Sequence, residues 1–120
     1  MNSADRASDM TTSQLGELAL RCRRHIVKMI HAAGAGHPGG SLSAIDIIAA
    51  LYGNQLRFDV NNPDWADRDR FIMSKGHASP AVYSILFEMG FITEDDMMSF
   101  RKLGSVCQGH VDMKLSLIHI

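Results

Sequence analysis

The segment from Ala44 to Leu51 carries apolar side chains on nearly every side of the helix that its sequence predicts. Its sequence is AIDIIAAL, in which Asp46 is the one charged residue. A helix at the surface of a globular protein has a polar face, so a helix without one has to be buried between other layers of structure. Ser43 and Asp46 form a capping-box pattern that predicts its start, and Gly53 predicts its end. The segment demands more surrounding protein than 120 residues easily provide.

A longer helix is predicted before this segment. Apolar residues recur three and four positions apart from Leu15 to Ala33, which is typical of a helix with one buried face. Thr11 and Gln14 form a capping box at its start, and Gly34 supplies a residue that tolerates the left-handed conformation at its end. Two histidines inside this helix, His25 and His31, have no glycine before them, and we expect both to be structural.

Two shorter helices and one strand are predicted in the second half of the chain. The first helix starts at Ser79 and Pro80 and reaches Gly90, and the second starts at a capping box on Thr93 and closes at Gly104. The apolar run at 71–73, Phe-Ile-Met, predicts a buried strand just before the first of them. The order of helix, loop, strand and helix is the beginning of an α/β fold, in which ligands bind outside the carboxyl ends of the strands.

Three of the six histidines directly follow a glycine, and they are His37, His77 and His110. With this glycine content, chance gives only about half of one such pair. Glycine permits tight turns that aim the next side chain into a cleft, and His77 comes at the predicted turn from strand to helix. Histidines that converge on one pocket relay protons and hold hydroxyl or carbonyl oxygens, which suits a polyol or sugar substrate. A zinc site built from the same three residues is a competing interpretation, although no local ligand pair supports it.

Other polar residues near these turns are predicted to have structural roles. For Ser41, Ser74 and Lys75 we expect helix capping or solvent exposure rather than contact with a ligand. The neighbouring Arg68, Asp69 and Arg70 are expected to form a structural ion-pair cluster rather than to bind a phosphate.

Composition excludes several classes of function. The formal net charge is −1 and no basic run occurs, so we expect neither a nucleic acid nor a membrane as partner. The first residues lack the pattern of a secretory signal, and the two cysteines, Cys22 and Cys107, are far apart. Such spacing suits reduced thiols better than a disulfide scaffold and predicts a cytoplasmic location.

Three motifs, in order and spacing, resemble the thiamine-diphosphate-binding part of transketolase. They are AGHPGGSLS at 35–43, DRDRFIMSKGHA at 67–78, and FRKLGS followed by QGH at 100–110. The resemblance covers roughly residues 13–114 and is closest to the N-terminal subunit of split transketolases. It implies an α/β thiamine-diphosphate-binding fold, a parallel sheet flanked by helices, of which only the helix-rich N-terminal part is present.

The resemblance also implies an activity and a site. Transketolases transfer a two-carbon ketol unit between sugar phosphates with thiamine diphosphate and Mg²⁺, and act with a second copy or with a C-terminal transketolase subunit. By this resemblance His37, His77 and His110 are catalytic. His37 and His110 bind hydroxyl groups of the sugar substrate, whereas His77 lies between the cofactor diphosphate and the donor. A related thiamine enzyme, of the deoxyxylulose phosphate synthase or dihydroxyacetone synthase type, is the alternative.

The sequence departs from the family at the expected cofactor anchor and at its last residues, and Val111 stands where many relatives have proline. It contains no Gly-Asp-Gly motif, which in relatives binds magnesium and anchors the cofactor diphosphate. The last six residues, LSLIHI at 115–120, look like the translation of a transposon-end adapter used for DNA sequencing libraries, and the alternative is a genuine apolar C-terminal strand. We therefore expect a polar tail at 1–12, a partial cofactor-binding domain at 13–114 and a non-native tail at 115–120. A further expectation is that the segment is inactive alone, a truncated product with its cofactor anchor missing.

Overall fold

The structure, a computed structural model, describes residues 8–109. Its helices are α1 (Thr12–Ala33), α2 (Pro38–Ala50), α3 (Ser79–Met89) and α4 (Glu94–Met98), with a π-helical turn at Leu51–Gln55 and a 3₁₀ turn at Gly76–Ala78. None of these helices is long and apolar enough to span a bilayer.

Helix α1 begins and ends where its capping residues predict. The backbone N–H of Gln14 donates to Thr11 Oγ1 at 3.2 Å, and the backbone N–H of Thr11 donates to Gln14 Oε1 at 2.9 Å. Gly34 takes a φ of 69° after the last turn, in the left-handed region that favours glycine. The prediction for this helix is confirmed at both ends.

Helix α2 begins five residues before the predicted capping box. Pro38 is its first residue and His37 its N-cap, while the Ser43 hydroxyl donates to the Gly40 carbonyl at 3.0 Å from inside the helix. Proline is well suited to a first helical position, because its φ is already helical and its missing N–H is not needed there. The prediction that Ser43 opens the helix is therefore wrong, and the first Gly-His turn itself starts α2.

The three longer helices pack against one another around one apolar core, and α3 is the most enclosed. Its residues at 79–86 are all buried. In contrast, α2 buries Ile45 and Ile48 but leaves Ile47 with 67% of its surface exposed. The expectation that the apolar segment of α2 is covered on every side is not met between residues 8 and 109.

No β-strand occurs within residues 8–109, so the sheet of the predicted α/β fold is not visible there. At the predicted strand, Ile72 is 71% exposed, while Phe71 and Met73 pack partly against the core. A strand needs a neighbour to bond its backbone groups. Near this run the Asp69 N–H donates to the Arg57 carbonyl at 2.7 Å, but no strand pairing forms within residues 8–109. The prediction of a strand at 71–73 is wrong for this structure.

Helix α4 has the predicted capping box but stops before Gly104. The Asp96 backbone N–H donates to Thr93 Oγ1 at 3.1 Å, and the helix ends at Met98. Arg101 then takes a φ of 64°, which a helix cannot contain, and its N–H donates to the Cys107 carbonyl at 2.9 Å. The chain therefore turns back at Arg101 and leads towards residues 105–109.

An ion cluster ties α1 to α3. Arg21 Nε donates to one carboxylate oxygen of Glu88 at 2.9 Å, and His25 Nε2 donates to the other at 2.7 Å. Burial acts to raise the pKa of Glu88, but the hydrogen bonds from His25 and Arg21 outweigh it and hold that pKa below its ordinary value. His25 thus has a structural contact, as the sequence predicts.

The residues before α1 are fixed to the end of α2. The Met10 N–H donates to the Gly53 carbonyl at 3.0 Å, and Asn54 Nδ2 donates to the Met10 carbonyl at 2.8 Å. A Cβ at Gly53 would lie 2.5 Å from Leu15 Cδ2, so a glycine allows α1 to approach this closely.

Candidate active site

His37 lies at the start of α2, on a tight turn that follows α1. Gly36 has a φ of 143°, and a Cβ there would lie 3.0 Å from Ile30 Cγ1. Glycine is therefore needed for both the backbone conformation and the close packing against α1. Pro38 follows as the first helical residue, and the His37 side chain is exposed.

His77 lies in the 3₁₀ turn that leads directly into α3. The turn is closed by a hydrogen bond from the Ala78 N–H to the Lys75 carbonyl at 2.9 Å. Its ring contacts that of His37, with centroids 4.7 Å apart and planes inclined by 41°. Two Gly-His pairs that are distant in sequence are thus adjacent at one surface of the protein.

Both rings stand at the beginning of a helix. The first N–H groups of α2 have no partner inside that helix, and its dipole makes this end favourable for negative charge. At the start of α3, in contrast, the Ser79 N–H already donates to the Gly76 carbonyl, and Pro80 has no N–H. The pair therefore combines imidazole nitrogens with the positive end of α2, an arrangement suited to a polar ligand that carries an anionic group.

The glycine of the third Gly-His pair, Gly109, is bonded to the start of α3. The Ser79 hydroxyl, two residues after His77, donates to the Gly109 carbonyl at 2.5 Å. His110 itself lies outside the described residues. The described part of the chain thus brings Gly109 beside the turn that carries His77.

Of the three polar residues predicted to be capping or exposed, Lys75 and Ser74 are exposed and Ser41 is not. Lys75 is exposed and extends across α2, where its Cε would lie 3.0 Å from a Cβ at Gly40 and its Nζ lies 3.5 Å from Ser43 Oγ. Ser74 is exposed, as expected. Ser41 is neither a cap nor exposed, because it is fully buried. Its Oγ is the one buried side-chain polar atom within residues 8–109 that has no hydrogen-bond partner.

Arg68, Asp69 and Arg70, which precede the turn that carries His77, have structural contacts, as predicted. The partner of Asp69 is Arg57, which the sequence did not indicate. Asp69 accepts hydrogen bonds from Arg57 Nη2 at 3.1 Å and from the Arg57 backbone N–H at 2.8 Å. These bonds lower the pKa of Asp69. Arg68 and Arg70 donate to carbonyls of their own loop.

The two thiols are not part of the site. Burial raises the pKa of Cys22 to about 11 and that of Cys107 to about 12, so both are protonated and poor nucleophiles at neutral pH. Within residues 8–109 no group of three or more His, Cys, Asp or Glu residues is placed to hold a metal ion.

Comparison with known proteins supports the resemblance that the three sequence motifs at 35–43, 67–78 and 100–110 indicate. Residues 17–118 match the family described as "Transketolase, thiamine diphosphate binding domain". Transketolase-like protein 2 of Bos taurus is 38% identical over 119 residues, which are 98% of this chain and 19% of that protein.

Solved structures give the same result. The transketolase of Campylobacter jejuni superposes with a TM-score of 0.82 at 35% identity, over 92% of this chain and 17% of that one. The Pichia stipitis transketolase in complex with sedoheptulose-7-phosphate superposes with a TM-score of 0.72 at 33% identity, over 82% and 15%. The chain spans less than a fifth of the length of these relatives. It belongs to the transketolase family, and its residues 17–118 match the thiamine diphosphate binding domain of that family.

Proposed function

We propose that this protein takes part in the transfer of a two-carbon ketol unit between sugar phosphates, with thiamine diphosphate as cofactor. The observation that carries the proposal is the contact of His37 with His77, whose ring centroids lie 4.7 Å apart. Two adjacent imidazoles offer donor and acceptor nitrogens to neighbouring oxygens of one small polyol. A sugar phosphate combines such hydroxyl groups with the negative charge that the start of α2 favours.

Each histidine has its own role in this proposal. His37 and His110 hold hydroxyl groups of the sugar, and His77 stabilises the donor oxygen whose charge changes as the carbon–carbon bond breaks or forms. When bound, thiamine diphosphate supplies the nucleophilic carbon and the electron sink for that step. The residues of the chain bind and orient the substrate around it.

The described residues fit a diphosphate-bearing cofactor but not its magnesium ion. Lys75 brings a cation across the start of α2, and the buried Ser41 hydroxyl lacks a hydrogen-bond partner there. No cluster of metal ligands accompanies them between residues 8 and 109. We assign no step to Mg²⁺ here and propose that its ligands belong to other parts of the enzyme, or to a second copy or a C-terminal subunit.

The substrate class is proposed by analogy with a structural relative. The Pichia stipitis transketolase has been solved with sedoheptulose-7-phosphate and, in another structure, with fructose-6-phosphate. We infer that this protein uses sugar phosphates of the same kind, and that it does so in the cytoplasm.

The test compares two histidine variants in the full-length polypeptide that carries this sequence. His77→Ala is expected to lower kcat for ketol transfer about 100-fold or more, as for loss of a group that stabilises developing charge. The matched control is His31→Ala, at the exposed end of α1, which should retain wild-type kcat and KM. Equal activity of the two variants would refute the role of His77.

A further inference from the structure

Phe100, the second residue after α4, packs against the turn that carries His37. A Cβ at Gly36 would lie 3.5 Å from Phe100 Cε2 and 3.0 Å from Ile30 Cγ1. The backbone of Gly36 therefore fits closely against an aliphatic side chain of α1 and the edge of an aromatic ring. Because a rigid peptide bond joins Gly36 to His37, a movement of this glycine also moves the histidine.

The same ring also packs on α3, the helix that follows His77. The ring centroids of Phe100 and Tyr83 lie 6.0 Å apart, with their planes inclined by 56°. Tyr83 is fully buried and is itself fixed, since its Oη donates to the Gln108 carbonyl at 2.6 Å. The Phe100 ring is therefore in contact with both the turn that carries His37 and the helix whose start carries His77.

The position of Phe100 is fixed by its own backbone as well as by the core. Its side chain is 2% exposed, and its N–H donates to the Met97 carbonyl at 3.2 Å. The N–H of the next residue, Arg101, donates to the Cys107 carbonyl at 2.9 Å. A phenylalanine side chain has only two rotatable dihedral angles and a rigid ring, so in a close-packed core it fills its space in one way.

We propose that Phe100 is a positioning residue for the pair of His37 and His77. Its ring keeps Gly36 at a fixed distance from α3, and this distance holds the two imidazoles against each other with centroids 4.7 Å apart. Without the ring, the turn moves into the space left behind, whereas His77 stays at the start of its own helix. The proposal rests on the proposed function for its catalytic consequence, but not for its structural part.

The structural part is tested by crystal structures of the full-length polypeptide with Phe100→Leu and with Phe100→Met. Leucine leaves a cavity, whereas methionine keeps more of the volume but replaces the rigid ring by a flexible chain. In both variants we expect the separation of the His37 and His77 rings to change by about 1 Å. Tyr52→Leu is the matched control, because Tyr52 is an equally buried aromatic residue that packs on two other phenylalanines. An unchanged separation in both Phe100 variants, or an equal change in the control, overturns the proposal.

The catalytic part is tested in the full-length polypeptide by a double-mutant cycle of Phe100→Met with His37→Ala. Phe100→Met alone should lower kcat/KM about 10-fold, because His37 is misplaced relative to His77. The same substitution should change kcat/KM by less than about 2-fold when residue 37 is already alanine, because the two effects share one route. Tyr52→Leu should change kcat/KM by less than about 2-fold in either background. Full additivity of Phe100→Met and His37→Ala overturns the catalytic part.

The two experiments separate the possible failures. If His37→Ala alone leaves kcat/KM at the wild-type value, the role of His37 in the proposed function is refuted, and the crystal structures still decide whether Phe100 positions the two rings. Far-ultraviolet circular dichroism of each variant checks that the helices are retained.

Discussion

Replacing Glu88 with glutamine should destabilise the packing of α1 on α3. Glu88 accepts one hydrogen bond from Arg21 and one from His25, and its side chain is 14% exposed. A hydrogen bond to a charged group contributes about 1.5–3 kcal/mol, but Arg21 is 46% exposed, so its share is close to that of a surface pair. Glutamine keeps the volume and one acceptor oxygen. We therefore expect a loss of about 1–2 kcal/mol in the free energy of unfolding.

The pH dependence of this loss provides a sharper test. The pKa of Glu88 in the folded protein is lowered from its ordinary value of 4.5. A carboxylate with a lowered pKa contributes stability that is fully present above its unfolded pKa and is lost as the pH falls through the folded pKa. Glutamine does not titrate. The difference between wild type and Glu88→Gln should therefore be at its full size at about pH 5.5 and above, and should be smaller at about pH 3.

The assay is urea unfolding followed by circular dichroism at both pH values. Glu17→Gln is the control, since Glu17 is an exposed carboxylate on α1, the helix that carries Arg21 and His25, and its removal should change the unfolding free energy by less than about 0.5 kcal/mol. An equal loss in both variants, or a gap for Glu88→Gln that persists unchanged into acid, would contradict the cluster as described.

Two further pairs of substitutions test the helices. Gly34→Ala should lower the unfolding free energy by about 1 kcal/mol, because its φ of 69° strains any side chain while nothing lies within 4 Å of the added Cβ. Gly16 lies inside α1 and also has nothing within 4 Å of an added Cβ, so Gly16→Ala should raise the unfolding free energy by about 0.5–1 kcal/mol. A lower melting temperature for Gly16→Ala than for Gly34→Ala in thermal denaturation would refute the assignment of the α1 end. Ile48→Ala should cost about 2–4 kcal/mol and Ile47→Ala less than about 1 kcal/mol, since Ile48 is 2% exposed and Ile47 is 67% exposed. Similar urea midpoints for these two variants would show that α2 is covered on both sides.

Local signals in the sequence predicted the parts of the fold that depend on neighbouring residues. The caps at Thr11 and Thr93 and the left-handed glycines Gly34 and Gly90 are found where expected, because each involves contacts within a few positions. The start of α2 was mispredicted because two valid signals competed, and the proline turn after His37 took precedence over Ser43.

Features that depend on distant residues could not be predicted in this way. An apolar run such as 71–73 forms a strand only beside a second strand, and residues 8–109 contain none. The convergence of His37 and His77 was predicted from their shared pattern, but no local signal marked the burial of Ser41 or the bonds from Ser79 and Tyr83. Only the folded chain brings those groups together.

The bonds that join Met10 to Gly53 and Asn54 have a consequence for the order of folding during synthesis. The two groups that bond to the Met10 backbone belong to residues that are made only after all of α1 and α2. Closing a loop between such distant residues costs entropy that no local contact offsets. The bonds of Met10 therefore form on the ribosome only after Asn54 has emerged, whereas the capping box at the start of α1 forms from neighbouring residues and needs neither partner.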